Sequence, residues 1–142
     1  MSLNGVINTA AVRDEGTTIS YVPLAYPAVA DRHVVDALAR AAKKLGYNFA
    51  EGITHSKDAF YAEIEPDNMS NSDYVKSRWQ AWERSNVMCS EMEAAAIFIV
   101  SSIRNCRASA VMAYKKVNLQ AAMETAIEGL RILIEEDKKL GR

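Results

Sequence analysis

The sequence predicts an α/β domain with helices layered on both sides of a central sheet. Three observations predict it. Short β-capable apolar stretches alternate with helical stripes four times, each strand followed by a helix. The chain has 142 residues, enough for one domain with a sizeable core. Its composition, 49% hydrophobic and 25% charged, gives each element an apolar face to bury and a polar face to solvate. Strict alternation favours a largely parallel sheet, and in such sheets ligands sit beyond the carboxyl ends of the strands.

Met1-Ser2-Leu3 reads as a cloning leader, residues 1–3, and residues 4–142 as a single α/β domain. "GVINTAAV" (residues 5–12) is apolar and β-capable, a first strand. Residues 13–31 form a long loop punctuated by Gly16, Pro23 and Pro27, and Asp31 can cap the next helix. "RHVVDALARAAKKLG" carries Val34, Val35, Leu38, Ala41, Ala42 and Leu45 on a helical stripe, with Gly46 at the C-cap position. "YNFAEGITH" (residues 47–55) is a second strand. Residues 56–72 are polar and rich in turn formers, with an exposed aromatic pair, Phe60-Tyr61. Residues 73–85 place Tyr74, Val75, Trp79 and Trp82 at helical spacing. "NVMC" is a short third strand. "EMEAAAIFIVSSIRN" (residues 91–105) is apolar nearly all round and predicts a deeply buried helix. "RASAVM" (residues 107–112) is the fourth strand, and residues 114–139 are one long amphipathic helix.

Several classes are disfavoured at once. With 17 basic against 18 acidic residues, the chain lacks the basic footprint of a nucleic-acid binder. No apolar run approaches the roughly 20 residues that span a bilayer, so no membrane partner is expected. The first residues have no basic and apolar signal-peptide pattern. Cys89 and Cys106 have no metal-ligand spacing and form no CxxC pair, which fits two reduced thiols in a cytoplasmic protein with no metal site.

The stretch with chemical interest is "CSEMEAAAIF", where a strand ends and an apolar helix begins. Charged side chains are rarely buried without partners, so Glu91 and Glu93 at this position need a reason. Residues two apart on a helix do not face each other, so the pair is poorly placed for acid/base catalysis across one bond. One reading is that both acids favour the helix N-terminus through its dipole. Another is that one of them points into a cleft. A carboxylate can accept two hydrogen bonds, and a vicinal diol such as the 2′- and 3′-hydroxyls of ribose supplies two donors. Phe60 and Tyr61 lie just past another strand end, where an aromatic either stacks on a planar base or packs on the core. Trp79 and Trp82 read as packing, His33 as solvated, and His55 as a strand-end residue near Phe60. No Ser/His/Asp or Cys/His constellation, Walker loop, GxGxxG or HExxH is present, so no catalytic residue is assigned.

"SEMEAAAIF" resembles the Glu-Met-Glu helix start of the nucleoside phosphorylases. "VPLAYPAVAD" (residues 22–31) and "GITHSKDAFY" (residues 52–61) are similar to segments of uridine phosphorylases in particular, in the same order and with similar spacing. The resemblance covers about residues 4–112. It implies the C-terminal portion of the nucleoside phosphorylase fold. It also implies a pentosyltransferase reaction of nucleoside and inorganic phosphate, giving free base and ribose 1-phosphate, with phosphate as co-substrate and no other cofactor. By that likeness Glu93 accepts from the ribose hydroxyls, Met92 lines the ribose pocket and Glu91 supports them. Phe60 and Tyr61 would flank the base. The likeness of residues 22–30 to a subunit-contact segment implies a homo-oligomer, with Tyr21, Val22, Leu24 and Tyr26 to bury.

The sequence also departs from the family pattern. The family's phosphate-binding loop, arginines and Gly-Thr segment belong to an N-terminal half that precedes the matched region. Where uridine phosphorylases read uracil with a Gln and an Arg, this chain has "AEIEPDN". After Met112 the chain passes almost straight into the last helix. The alternative expectation is therefore a catalytically incomplete remnant of the family, without the phosphate site.

Overall fold

A computed structural model describes residues 2–141. In chain order the elements are β1 (Gly5–Asp14), β2 (Ala28–Val29), α1 (Arg32–Leu45), β3 (Phe49–Lys57), α2 (Phe60–Ile64) and α3 (Ser72–Arg84). They continue as β4 (Val87–Glu91), α4 (Ala94–Ile103), β5 (Ala110–Ala113) and α5 (Leu119–Leu140). A central sheet is flanked by helices, as the alternation predicts.

Local chemistry sets these boundaries. Asp31 caps α1 by accepting the amides of His33 and Val34 at 2.9 and 3.1 Å, and Gly46 ends it with φ of 75°, a conformation costly for other residues. The apolar stripe of α1 buries Val35, Leu38, Ala41 and Ala42. Helix α5 lies so close to it that a Cβ on Gly129 would stand 2.9 Å from Leu38 Cδ2. One core cluster ties the strands to α1 and α4 through Ile7, Ala11, Val35, Leu38, Phe98 and Ile99.

The spatial order is β4–β3–β1, with β5 and β2 sharing the outer edge of β1. The β1–β3 and β3–β4 ladders are parallel, whereas β2 and β5 both run antiparallel to β1. The sheet is therefore mixed rather than largely parallel. Helix α4 has ten residues, about 15 Å of rise. The chain then enters β5 opposite Asn8 and leaves it opposite Gly5, continuing toward the start of β1 instead of turning back.

Three further readings change. Residues 56–57 extend β3, and part of the expected polar loop is helix α2. Helix α4 starts at Ala94, because Ser90 and Glu91 still pair with His55 and Ser56 in the β3–β4 ladder. It is not buried all round: Ala94, Ala95, Phe98 and Ile99 face the core, while Ile97 and Ile103 are 46% and 38% exposed. Among the described residues no helix is long and apolar enough to cross a membrane.

Candidate functional site

The parallel strands β1, β3 and β4 bring their carboxyl ends together. Asp14 stands beside Lys57, and Ser56 beside Glu91, in register. This row is polar and buried: Thr54, His55, Ser56 and Lys57 are all under a tenth exposed. A polar group so placed has to be hydrogen-bonded or serve a ligand.

Glu91 spends its acceptors on the protein. Its Oε1 takes the hydroxyls of Ser56 at 2.5 Å and Thr54 at 3.2 Å. Its Oε2 takes the amides of Glu93 and Ala94, both at 2.6 Å. Ser56 Oγ in turn accepts the amide of Ala95 at 2.9 Å. These amides belong to the first turn of α4, where donors have no intrahelical partner. Glu91 thus caps α4 from the preceding strand, and the negative charge at the positive end of the helix adds to its stability.

Glu93 is different. Its carboxylate is exposed, with one hydrogen bond, from the amide of Met92 at 3.2 Å. Met92 is 37% exposed beside it. The two acids therefore divide: one holds the helix mouth, and the other leaves most of its acceptor capacity free. Spacing alone could not separate the two, because the separation depends on which acid is still in the strand.

Phe60 and Tyr61 open α2 and pack edge to face on each other, ring centroids 5.7 Å apart. They remain 51% and 66% exposed, so they do not pack down on the core.

Sequence reasoning missed Lys57, Asp14 and Arg78. The Lys57 side chain is 10% exposed, donates to Ser90 Oγ at 2.6 Å and is ion-paired with Glu63. Its ammonium lies 5.7 Å from the ring centre of Trp79. Burial pushes the Lys57 pKa below the ordinary lysine value, against the opposing pull of Glu91 and Glu93. Asp14 bridges His55 Nε2, at 2.8 Å, and the Arg78 guanidinium. The available signal was the run "THSK": four consecutive polar residues closing an apolar strand.

Next to this row lies a cavity of about 170 Å³. Its walls include Asp14, His55, Lys57, Tyr74, Trp79 and Trp82, and none of Glu91, Met92 or Glu93 lines it. The tryptophans therefore pack on His55, at 5.0 and 5.8 Å between ring centres, while bordering open space.

Comparison with known proteins gives the same outline. Residues 4–133 match the phosphorylase superfamily. The chain is 35% identical over 146 residues to the uridine phosphorylase of Treponema pallidum (strain Nichols), covering 93% of this chain and 57% of that protein. It is 34% identical over 148 residues to the uridine phosphorylase of Thermococcus kodakarensis, covering 96% and 53%. The Escherichia coli (strain K12) uridine phosphorylase is 29% identical over 145 residues, covering 95% and 57%. The chain thus spans just over half the length of the curated relatives it matches. With its fold, the Glu-Met-Glu turn and this match over most of its length, the chain belongs to the phosphorylase superfamily, among sequences like the uridine phosphorylases.

Proposed function

We propose that this chain binds ribonucleosides at the turn between β4 and α4 and takes part in their phosphorolysis. In that reaction nucleoside and inorganic phosphate give free base and ribose 1-phosphate. The observation that carries the reading is the division of labour at the Glu-Met-Glu turn. Glu91 is saturated by four donors, while the neighbouring Glu93 carboxylate is exposed with a single weak bond. A free carboxylate held by a rigid helix mouth, beyond the end of a parallel strand, suits two donors on one face of a sugar. Met92 supplies an apolar contact to the ring. Phe60 and Tyr61 offer exposed aromatic faces for the base.

Catalysis would come mainly from placement. The transition state resembles an oxocarbenium ion, so holding the ribose still and orienting phosphate beneath its C1′ lowers the barrier. The test is phosphate-dependent cleavage of uridine and inosine by the purified chain, followed by ultraviolet absorbance. Cleavage that disappears in Glu93→Ala supports the reading and shows the preferred base.

A specific observation favours a second reading, ribonucleoside binding without turnover. A phosphate site needs convergent cations or backbone N–H groups. Arg13 is committed to four backbone carbonyls, and Arg40, Arg78 and Arg107 are ion-paired. On this reading, calorimetry detects uridine binding that depends on Glu93, while no base is released in phosphate.

A further inference from the structure

Helix α5 carries apolar side chains on two faces, and the fold covers one of them. Ala121, Ala122, Thr125, Gly129 and Leu133 are buried, with Gly129 close against Leu38 of α1. On the opposite side Leu119, Met123, Ile127, Leu130 and Ile134 are 52%, 57%, 49%, 59% and 52% exposed. Their spacing puts all five on one face, a stripe about 22 Å long. Single exposed apolar residues are ordinary, whereas a contiguous apolar face marks a contact. From Met123 to Ile134 the spacing alternates between four and three residues, the seam of a paired helix. The edge of the stripe is charged in a definite order, Glu124 and then Arg131 one heptad later. Glu124 accepts from the Tyr47 hydroxyl and from Gln120, and these bonds hold its carboxyl below the ordinary value, so it stays charged. The Arg131 side chain is 70% exposed, with a long contact of 3.4 Å to Glu128.

We propose that the outer face of α5 is an interface for a second copy of this chain, the two α5 helices packing antiparallel about a two-fold axis between Ile127 and Leu130. Reversal sets the partner's Leu130 opposite Ile127 and the partner's Ile134 opposite Met123. It also sets the partner's Arg131 beside Glu124, and the two-fold makes that ion pair twice. The charge order is therefore self-complementary in the antiparallel sense, whereas a parallel pair would put Glu124 against its own copy. A shallow groove of about 310 Å³ lies beside the axis, lined by Leu45, Glu124, Ile127, Glu128 and Arg131, with room for the partner's Leu130. An anionic membrane surface is disfavoured as the occupant, because Glu124 and Glu135 offset Arg131 and Lys138 on this face. The stripe is one helix wide, smaller than the roughly 800 Å² per partner of a standard interface, so the pair is a reversible one. The interface uses no residue of the Glu91–Glu93 turn and stands whether or not the chain binds nucleosides.

The test is sedimentation velocity of the full chain over a range of concentrations. It is run in a Leu24→Asp background, so that the exposed loop between β1 and β2 contributes no contact of its own. The expected result is a reversible equilibrium between one copy and two. Leu130→Asp buries a charge at the centre of the seam and should weaken pairing at least about tenfold. Ile127→Asp serves as the second variant if the circular dichroism spectrum shows that Leu130→Asp does not fold. Arg131→Glu and Glu124→Arg each bring like charges together and should weaken pairing, and the double variant should restore it. That restoration separates a specific antiparallel pair from general stickiness of an apolar face. A single copy at every concentration overturns the proposal. So does pairing that survives the aspartate substitutions, or pairing that neither charge reversal weakens. Binding to vesicles of anionic lipid by a chain that stays a single copy also overturns it, and assigns the face to a membrane surface.

Discussion

Ser56 Oγ donates to Glu91 Oε1 at 2.5 Å and accepts the amide of Ala95 at 2.9 Å, so one hydroxyl joins β3, β4 and the first turn of α4. The turn proposed to hold ribose is therefore built by side chains that no ligand needs to touch. Removing the Glu91 carboxylate leaves two helix-end amides and the Ser56 hydroxyl without their acceptor, and leaves Thr54 only the Cys89 carbonyl at 3.4 Å. Glu91→Ala should destabilise the fold by about 1–3 kcal/mol, the cost of unsatisfied buried donors together with a lost cap. Glu93→Ala, an exposed site, should stay within about 0.5 kcal/mol. Urea unfolding monitored by circular dichroism compares them. Equal losses would refute the division between the two acids.

Lys57 gives a pH dependence with a defined sign. Burial holds its pKa below the ordinary 10.5, so the folded chain releases this proton before the unfolded chain does. Between the lowered value and 10.5 the unfolded state binds more protons, and stability rises with pH. As pH falls through the folded value, that contribution is lost. The difference in unfolding free energy between wild type and Lys57→Met should therefore shift in favour of wild type as pH rises through the alkaline window. Denaturant melts at a series of alkaline pH values check this, and a pH-independent difference would show that Lys57 is not desolvated.

Much of this fold was legible in the sequence because local rules coincide with it. Asp31 and Gly46 mark α1, and its apolar stripe matches the face it buries. The antiparallel direction of β5 was not legible, because strand pairing is a long-range outcome set by where α4 ends. At the candidate site, "EME" announced itself, but the roles of Glu91 and Glu93 depend on a β3–β4 register that brings Ser56 opposite Glu91. His55, Asp14 and Arg78 come from three distant parts of the chain, so no spacing along the sequence could have joined them.

The β1–β5 pairing rests on a close backbone approach. A Cβ on Gly5 would lie 1.8 Å from the Met112 carbonyl oxygen and 2.7 Å from Phe49 Cε1. Backbone cannot swing aside as a side chain can. Gly5→Ala should cost about 1–3 kcal/mol, as overpacking does, and should loosen the β5 edge. Hydrogen exchange would show residues 110–113 losing protection before β3 does. A stable variant with unchanged exchange would mean that the two strands lie further apart.

Self-association is argued from the loop between β1 and β2. Arg13 clamps it: the guanidinium donates to the carbonyls of Val22, Pro23, Leu24 and Tyr26 at 3.1, 2.7, 3.0 and 2.5 Å. Val22 packs on the core, while Tyr21, Leu24 and Tyr26 remain 52%, 62% and 40% exposed. A loop already ordered loses little further entropy when a partner covers it, which lowers the ordering cost of association. Light scattering over a range of concentrations should give a mass above that of one chain. Leu24→Asp should lower that mass without altering the circular dichroism spectrum, since Leu24 is outside the core. Arg13→Gln separates two causes. It keeps every exposed apolar side chain but releases the loop, so it should weaken association by raising the ordering cost. If Arg13→Gln associates as wild type does while Leu24→Asp does not, the apolar contacts alone drive assembly. If the wild-type chain is a single copy at every concentration, this loop is not an interface.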